Sequence, residues 1–465
     1  MRKNQRAAHI ALVAGAVALA GCSATRSQPP PPNAIFDIRV GVSVAEPRSD
    51  DVLPKEPTLE DYLHYAGLHN AGLRAAYYDW VAAVEKIPQA EALPDPRLSY
   101  GYYFQEVETR VGAQRHRVGL AQMFPWVGKL ALRGDVAAAA AEQKRERFEV
   151  AKLRVFYRVT DAYAEYYYLA RAIDITRENI ELLTYWEKLA QAKYRVATGR
   201  HPDVIKVQVE LGKLADRLRT LEELRGPLVE RLNAALNREA AVPLPWPKEL
   251  QQSKVSLDVS ALANELGRTS PELRALDAAI AREEHAIALA RKDYYPDLTF
   301  GLQWIETEER SGADLADNGK DPVVGSVSVN LPVWWEKYGA GVREAEARRR
   351  AAMERRGDRE NELTSQLVLA LYKFEDAERK VDLYANGLVP KAKESLAATF
   401  TAYESGEADF LDVLDAQRVL LDFRLSHERA LSDHEQRLAE SEMLVGHSVR
   451  AAKEGTDSAS EEVQE

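Results

Sequence analysis

The sequence predicts a mixed α+β membrane protein with an internal two-fold repeat. Three observations support this prediction: short motifs recur at a constant spacing, four segments alternate between apolar and small or polar residues, and residues 129–198 contain no proline. The 465 residues are 46% apolar and 29% charged, which is typical of folded chains and excludes general disorder. The chain has one cysteine and therefore no internal disulfide.

The first segment predicts an export signal. Basic residues at 2, 3 and 6 precede an apolar run over 7–20, which is too short to span a bilayer as a helix. The run ends in Leu-Ala-Gly-Cys, which resembles the cleavage site of bacterial lipoproteins. We therefore predict a lipoprotein signal peptide over 1–21, a lipidated Cys22, and an anchor with a proline-stiffened spacer over 22–56. An ordinary signal peptide with an incidental cysteine is the alternative.

Recurring motifs predict the internal repeat. Leu-Arg-Ala at 73–75 and Leu-Ser-Tyr-Gly at 98–101 recur 200 residues later, the second as Leu-Thr-Phe-Gly. Beyond the second strand of each copy, Pro125 matches Pro332 and Gly199 matches Gly406 at an offset of 207. The offset grows because the loop at 307–322 is longer in the second copy. The predicted parts are a first repeat over 57–241, a proline-rich linker over 242–257, a second repeat over 258–450 and a polar tail over 451–465.

Each repeat is predicted to contain the same elements in the same order. An amphipathic helix, over 57–90 and again over 258–293, precedes two strands. A very long helix, a glycine turn and another helix follow. The apolar stripe between Phe148 and Leu183 repeats every 3.5 residues on average, which predicts a coiled coil with neighbouring helices.

The strands are predicted near 96–107 and 116–125 in the first repeat, and near 296–306 and 323–333 in the second. In the third strand an apolar face interleaves with a small or polar face, and we predict that the apolar face contacts lipid. That face consists of Leu298, Phe300, Leu302 and Trp304. A half-buried strand of a soluble sheet would show the same alternation. Four strands are too few to close a barrel, so several chains would be needed.

Four motifs in this frame resemble the TolC family of outer-membrane efflux proteins. They are Leu-Pro-Asp-Pro at 93–96, Tyr-Pro-Asp-Leu at 295–298, Phe-Pro-Trp with Gly-Lys over 124–129, and the segment 406–417. The resemblance implies a homotrimer whose four strands per chain form one outer-membrane β-barrel on a long α-helical coiled-coil tunnel. It also implies a lipid-anchored protein that extends into the periplasm. Its partners would be a periplasmic adaptor and an inner-membrane pump, of the resistance-nodulation-division type for lipidated members.

The resemblance also implies a periplasmic gate where the tunnel tapers. Gly199 and Gly406 match the helix-turn tips, to which the adaptor docks. Asp412 and Asp415 match aspartates that ring the entrance, and Tyr403 matches a tyrosine of the closed latch. Asp203 matches its acidic partner if a two-residue gap is allowed. Glu407 and Ala408 replace an arginine that the family's latch has after the second glycine. A solvated helix start would also favour these aspartates.

Other classes of function find no support in the sequence. The net charge of −11 and the absence of a basic face argue against a nucleic-acid partner. The sequence shows no catalytic set, cofactor motif or metal site, so we predict that the chain is not an enzyme. His427-Glu428 and His434-Glu435 are expected on a solvated surface.

Three functions remain open at this stage. The chain is predicted to be a passive exit duct for efflux. It could instead be a structural coiled-coil lipoprotein that tethers the layers of the envelope, or a duct for type I protein secretion. The strand alternation favours a duct, because a tether has no use for a lipid-facing sheet. The cargo stays undetermined, because its selection normally resides in the pump.

Overall fold

The computed structural model describes residues 53–196, 199–250, 255, 258–312 and 315–450. Cys22, the predicted signal peptide and the predicted tail lie outside these residues. The described part is mostly helical with one small sheet. Its elements in chain order are α1 (Leu59–His69), α2 (Ala71–Val84), α3 (Lys86–Glu91), β1 (Arg97–Thr109), β2 (Gly112–Phe124), α4 (Lys129–Arg195), α5 (His201–Leu236), α6 (Val259–Thr269), α7 (Pro271–Lys292), β3 (Leu298–Thr307), β4 (Val323–Val329), α8 (Trp335–Asp382), a π-helical turn (Leu383–Leu388), α9 (Val389–Ser405) and α10 (Phe410–Val445).

The two amphipathic helices expected over 57–90 and 258–293 are divided in the structure. Asn70 and Ser270 both adopt extended backbone and end α1 and α6. The Asn70 side chain then accepts a hydrogen bond from the Leu73 N–H and so caps α2. In the second case Pro271 begins α7, where its missing N–H costs nothing. The prediction of one continuous helix in each place was wrong, because a capping residue and an N-terminal proline start a new helix there.

The four strands form one antiparallel sheet in the order β1-β2-β3-β4. A two-residue turn joins β1 to β2, whereas residues 308–322 join β3 to β4, as the growing offset predicted. β2 begins at Gly112, earlier than expected, and a register shift between Gln114 and Arg117 interrupts its pairing with β3. β4 ends at Val329 rather than near 333, because Val329 lies opposite Leu298, the first residue of β3.

The sheet has two chemically different faces. Leu302 on β3 lies opposite Leu120 on β2, which lies opposite Leu98 on β1. Because side chains alternate along a strand, this row, the even-numbered residues of β1, β2 and β3 and the odd-numbered residues of β4 share one face, which is mainly apolar, whereas Gly101, Gly119 and other small or polar residues form the opposite face. The apolar face contains Leu98, Tyr100, Tyr102, Val118, Leu120, Phe124, Leu298, Phe300, Leu302, Trp304, Val327 and Val329.

The helices pack lengthwise on α4. This helix has 67 residues, which corresponds to roughly 100 Å at the usual rise per residue. Its predicted stripe is buried from Phe148 to Leu183, except for the half-buried Ala151 and Ile180. The stripe packs against neighbouring helices, which include α5, α7 and α10. The π-helical turn lies just before Pro390, and in it the Val389 N–H donates to the Tyr384 carbonyl. Within the described ranges, none of the helices has the length and apolar character of a membrane span.

Candidate functional site

The two helix turns that contain Gly199 and Gly406 lie side by side. The first turn connects α4 to α5 and the second connects α9 to α10. Gly406 has a φ of +84°, in the left-handed region, and it ends α9 by donating from its N–H to the Tyr403 carbonyl at 3.3 Å. Gly199 closes the first turn by donating to the Lys193 carbonyl at 3.0 Å. The two turns contact each other through ion pairs and an aromatic cluster.

The aromatic cluster fixes the end of the helix pairs. The Trp186 ring of α4 stacks on Phe400 of α9 at a centroid distance of 5.5 Å, and the ring of Phe410 lies 5.2 Å from that of Tyr403. Tyr403 is only 8% exposed, and its burial raises the pKa of its hydroxyl. The Lys193 ammonium lies 4.1 Å from the centre of the Tyr403 ring. Tyr403, predicted to take part in the latch, therefore holds two turns of one chain together.

Arg200 joins the first turn to the second. Its guanidinium donates a hydrogen bond to the Asp409 carboxylate, which precedes α10, and its Nε lies 3.5 Å from Oδ2 of Asp203. Asp203 is 5% exposed. The two carboxylates raise the pKa of Arg200, with Asp203 as the larger cause. The structure thus places Asp203 against an arginine of its own turn. Sequence reasoning missed Arg200, although it directly follows Gly199 as Glu407 follows Gly406.

Asp412 and Asp415 lie exposed on the first turns of α10. Oδ2 of Asp412 accepts a hydrogen bond from the Asp409 N–H at 3.0 Å in a capping box, so Asp412 also stabilises the start of the helix. Asp415 lies 2.9 Å from Nη1 of Arg418. The other guanidinium nitrogen of Arg418 donates to Glu210 of α5 at 2.6 Å and lowers the pKa of Glu210.

Among these residues, carboxylates outnumber cations at the turns. The four aspartates at 203, 409, 412 and 415 lie near three cations, Lys193, Arg200 and Arg418. Within the described residues, the ion pairs leave Asp412 without a cationic partner. Three copies of such a turn around an aperture would concentrate negative charge, which favours cations and resists anions.

The two His-Glu pairs are not on a solvated surface, so that prediction was wrong. His434 and Glu435 are buried, and the His434 ring lies 4.5 Å from the ring of Phe374 on α8. Arg450 lies 3.0 Å from Glu435, and the hydroxyl of Tyr167 donates to the buried Glu428 at 3.4 Å. Glu428, His434 and Glu435 lie on the buried face of α10, which packs against both α4 and α8. In the described part of the chain, no group of three or more His, Cys, Asp or Glu residues could hold a metal ion.

Comparisons with known proteins agree with this architecture. Residues 262–447 match the family model described as outer membrane efflux protein. The chain is 24% identical over 421 residues to the cobalt-zinc-cadmium resistance protein CzcC of Cupriavidus metallidurans, and the alignment covers 85% of this chain and 92% of that relative. The resemblance predicted from four sequence motifs is therefore confirmed.

Solved structures show the fold. The outer membrane protein VceC of Vibrio cholerae superposes with a TM-score of 0.68 at 17% identity, covering 84% of this chain and 96% of its own. The open state of the MtrE outer membrane channel of Neisseria gonorrhoeae gives a TM-score of 0.69 at 18% identity, and the match covers 88% of this chain and 94% of the MtrE chain. The small sheet and the long paired helices are thus arranged as in outer-membrane channels.

Proposed function

We propose that this chain, which matches the outer membrane efflux proteins over residues 262–447 and has the fold of outer-membrane channels, is the exit duct of a tripartite efflux system. It lies in the bacterial outer membrane and extends into the periplasm. A periplasmic adaptor and an inner-membrane pump of the resistance-nodulation-division type deliver the cargo and supply the energy. The duct performs no chemistry of its own.

The observation that carries this proposal is the sheet. Within the described residues, β1 and β4 each keep one edge unpaired, and a row of large apolar side chains faces outward without a helix over it. Phe104 of β1 is 95% exposed. A soluble chain would cover such a surface, whereas three copies supply twelve strands, close the edges and turn the apolar face to lipid. An envelope tether would need neither feature.

The homotrimer contains six related units around its axis. Each chain contributes two repeats, 57–241 and 258–450, joined by the linker 242–257. The helices of all six units form the tunnel, and the turns at Gly199 and Gly406 form its periplasmic tip, where the adaptor docks. Lipidation of Cys22 anchors the chain. The efflux role is favoured over type I protein secretion, because the relative CzcC is named as a metal-resistance protein.

The gate is formed by the two turns. Asp412 and Asp415 from three chains ring the entrance, and the contacts of Arg200 with Asp203 and Asp409 hold neighbouring helix pairs together in the closed state. The family's latch has an arginine after the second glycine, where this chain has Glu407. Arg200, which follows the first glycine, supplies the positive charge instead. Opening requires these helix pairs to separate.

Planar-bilayer conductance of the purified protein, recorded beside its mass in detergent, tests the duct. A trimer with discrete, cation-selective conductance steps is expected. A protein that assembles but never conducts, even when Asp412 and Asp415 are neutralised, would contradict the duct and favour the tether.

Block by multivalent cations tests the aspartate ring. Asp412→Ala with Asp415→Ala should raise the half-blocking concentration about tenfold, equivalent to about 1.4 kcal/mol, because the double change removes six carboxylates per trimer. Asp216→Ala, an exposed carboxylate further along α5, is the matched control and should leave the block unchanged. Equal block in both variants would place the cation site elsewhere.

A further inference from the structure

A buried ion pair fixes the junction between the two strand pairs of one chain. Lys129, the first residue of α4, is only 3% exposed, and its ammonium lies 2.9 Å from Oδ1 of Asp297, which directly precedes β3. The same oxygen accepts a hydrogen bond from the Trp126 N–H at 2.9 Å, and the Lys129 ammonium also donates to the Tyr295 carbonyl at 3.1 Å. The start of the long helix is therefore tied to the start of the next strand.

The corresponding positions of the other repeat carry the opposite charges. The offset of 207, which applies after the second strand, relates Lys129 to Glu336; the offset of 200, which applies before the first, relates Asp297 to Arg97. Glu336 lies in the first turn of α8, as Lys129 lies in the first turn of α4. A lysine–aspartate pair thus corresponds to a glutamate and an arginine, with the signs exchanged.

These two residues do not meet within one chain. The Glu336 side chain is 87% exposed and its Oε1 lies 2.5 Å from the exposed Arg343 on the same helix. Arg97 is exposed and forms no ion pair with the described residues. They flank the two free edges of the sheet, because Arg97 begins β1 and Glu336 lies just beyond the end of β4.

We infer that Glu336 of one copy pairs with Arg97 of the neighbouring copy, so that the junction between chains is a charge-reversed version of the Lys129–Asp297 junction within a chain. This inference rests on the trimer of the proposed function. β4 then pairs with β1 of the next copy in the register of β2 with β3. Since Gln122 lies opposite Phe300, the same offsets place Val329 opposite Tyr100. Both Val329 and Tyr100 are exposed apolar residues of the lipid-facing side, so the pairing also extends that face.

The alternative is that Glu336 only stabilises the start of α8, where a carboxylate interacts favourably with the positive end of the helix dipole. Charge reversal separates the two roles. If Arg97 and Glu336 pair between copies, Arg97→Glu and Glu336→Arg should each lower the temperature at which the detergent-solubilised trimer dissociates by several degrees. The double variant, which restores opposite charges, should recover most of that loss. Glu344→Arg, which changes another exposed, arginine-paired carboxylate of α8, is the matched control and should have little effect on dissociation.

Cross-linking tests the geometry directly. Arg97→Cys with Glu336→Cys, treated with a short bifunctional maleimide, should give covalently linked dimers and trimers on a denaturing gel. Lys129→Cys with Asp297→Cys is the control for the equivalent junction, and its link should close within one chain and leave a monomer band.

The outcomes distinguish the two proposals. A stable, conducting trimer with neither rescue by the double variant nor cross-links between copies would overturn the ion pair and leave the duct intact. A wild-type protein that is monomeric and does not conduct would overturn the duct, and this inference with it.

Discussion

Arg200 occupies the position from which one side chain reaches both helix turns. It contacts Asp203 on its own turn and Asp409 on the other, while the Lys193 ammonium covers the buried ring of Tyr403. The Arg200 pairs are partly exposed, so each contributes little to stability on its own. Their effect on gating is expected to be larger, because in the proposed trimer three symmetric copies separate together when the entrance opens.

Replacing Arg200 should therefore shift the gate toward the open state. We expect Arg200→Ala to increase the open fraction of single-channel current several-fold, because Asp203 and Asp409 then repel each other across the two turns. Single-channel recording in planar bilayers measures this fraction. Arg219→Ala removes an exposed arginine from α5, the helix that follows Arg200, and should leave the open fraction unchanged. A closed channel that is indifferent to Arg200 would mean that other contacts hold the entrance.

At the scale of elements, the period of two over 298–304 was sufficient to predict a strand and both of its faces. The extent of β2 was not predictable, since the register shift after Gln114 breaks the alternation. For β4 the alternation continues into Leu331 and Val333, yet the pairing stops at Val329, opposite the first residue of β3. The divided helices follow from Asn70 and Ser270, whose capping role depends on the backbone conformation that the packed structure selects.

The turn at Gly406 gives a prediction about backbone conformation. Apart from its own chain neighbours, no residue has an atom within 4 Å of the position that a Cβ on Gly406 would take, so only its left-handed φ of +84° opposes a larger residue. Gly406→Ala should lower the free energy of unfolding by about 1 kcal/mol. Gly212 lies inside α5 with equally open space and an ordinary helical φ, so Gly212→Ala should raise the free energy of unfolding by up to about 1 kcal/mol. Denaturant unfolding followed by circular dichroism measures both; equal effects would contradict the argument.

The Glu210–Arg418 pair between α5 and α10 predicts a dependence on pH. The hydrogen bond from Arg418 lowers the pKa of Glu210 below its ordinary 4.5. A carboxyl with a lowered pKa in the folded state stabilises the fold at neutral pH, and this contribution is lost as the pH falls below 4.5. Thermal unfolding from pH 7 to pH 3 should therefore show a smaller loss of stability in Arg418→Met than in the wild type. Parallel curves for the two proteins would exclude this pair as a contributor.

For the whole molecule, the sequence predicted the class of fold and the resemblance to efflux channels, but not which side chains contact one another at the candidate site. Motif matching singled out Tyr403 and Asp203, which lie at the turns, and missed Arg200, because the resemblance placed the arginine after the second glycine rather than the first. Only the packed turns show that Arg200 reaches Asp409, nearly half the chain away in sequence. The burial of His434 and Glu435 was missed for a similar reason. Polar residues on one helix are predicted to be exposed when the helices that pack against that face are not known from the sequence.

The two faces of the sheet give a prediction for the complete assembly in its membrane. Leu302 points to the apolar face and the adjacent Gln303 to the opposite one, which faces the lumen in the proposed trimer. An arginine in the lipid core of a barrel costs about 2–4 kcal/mol near the midplane, whereas an arginine in the lumen remains solvated. Leu302→Arg should therefore sharply reduce the amount of trimer recovered from outer-membrane fractions. Gln303→Arg, one residue away, should assemble normally and shift the conductance toward anions. If Gln303→Arg blocked assembly and Leu302→Arg did not, the two faces would be assigned the wrong way round.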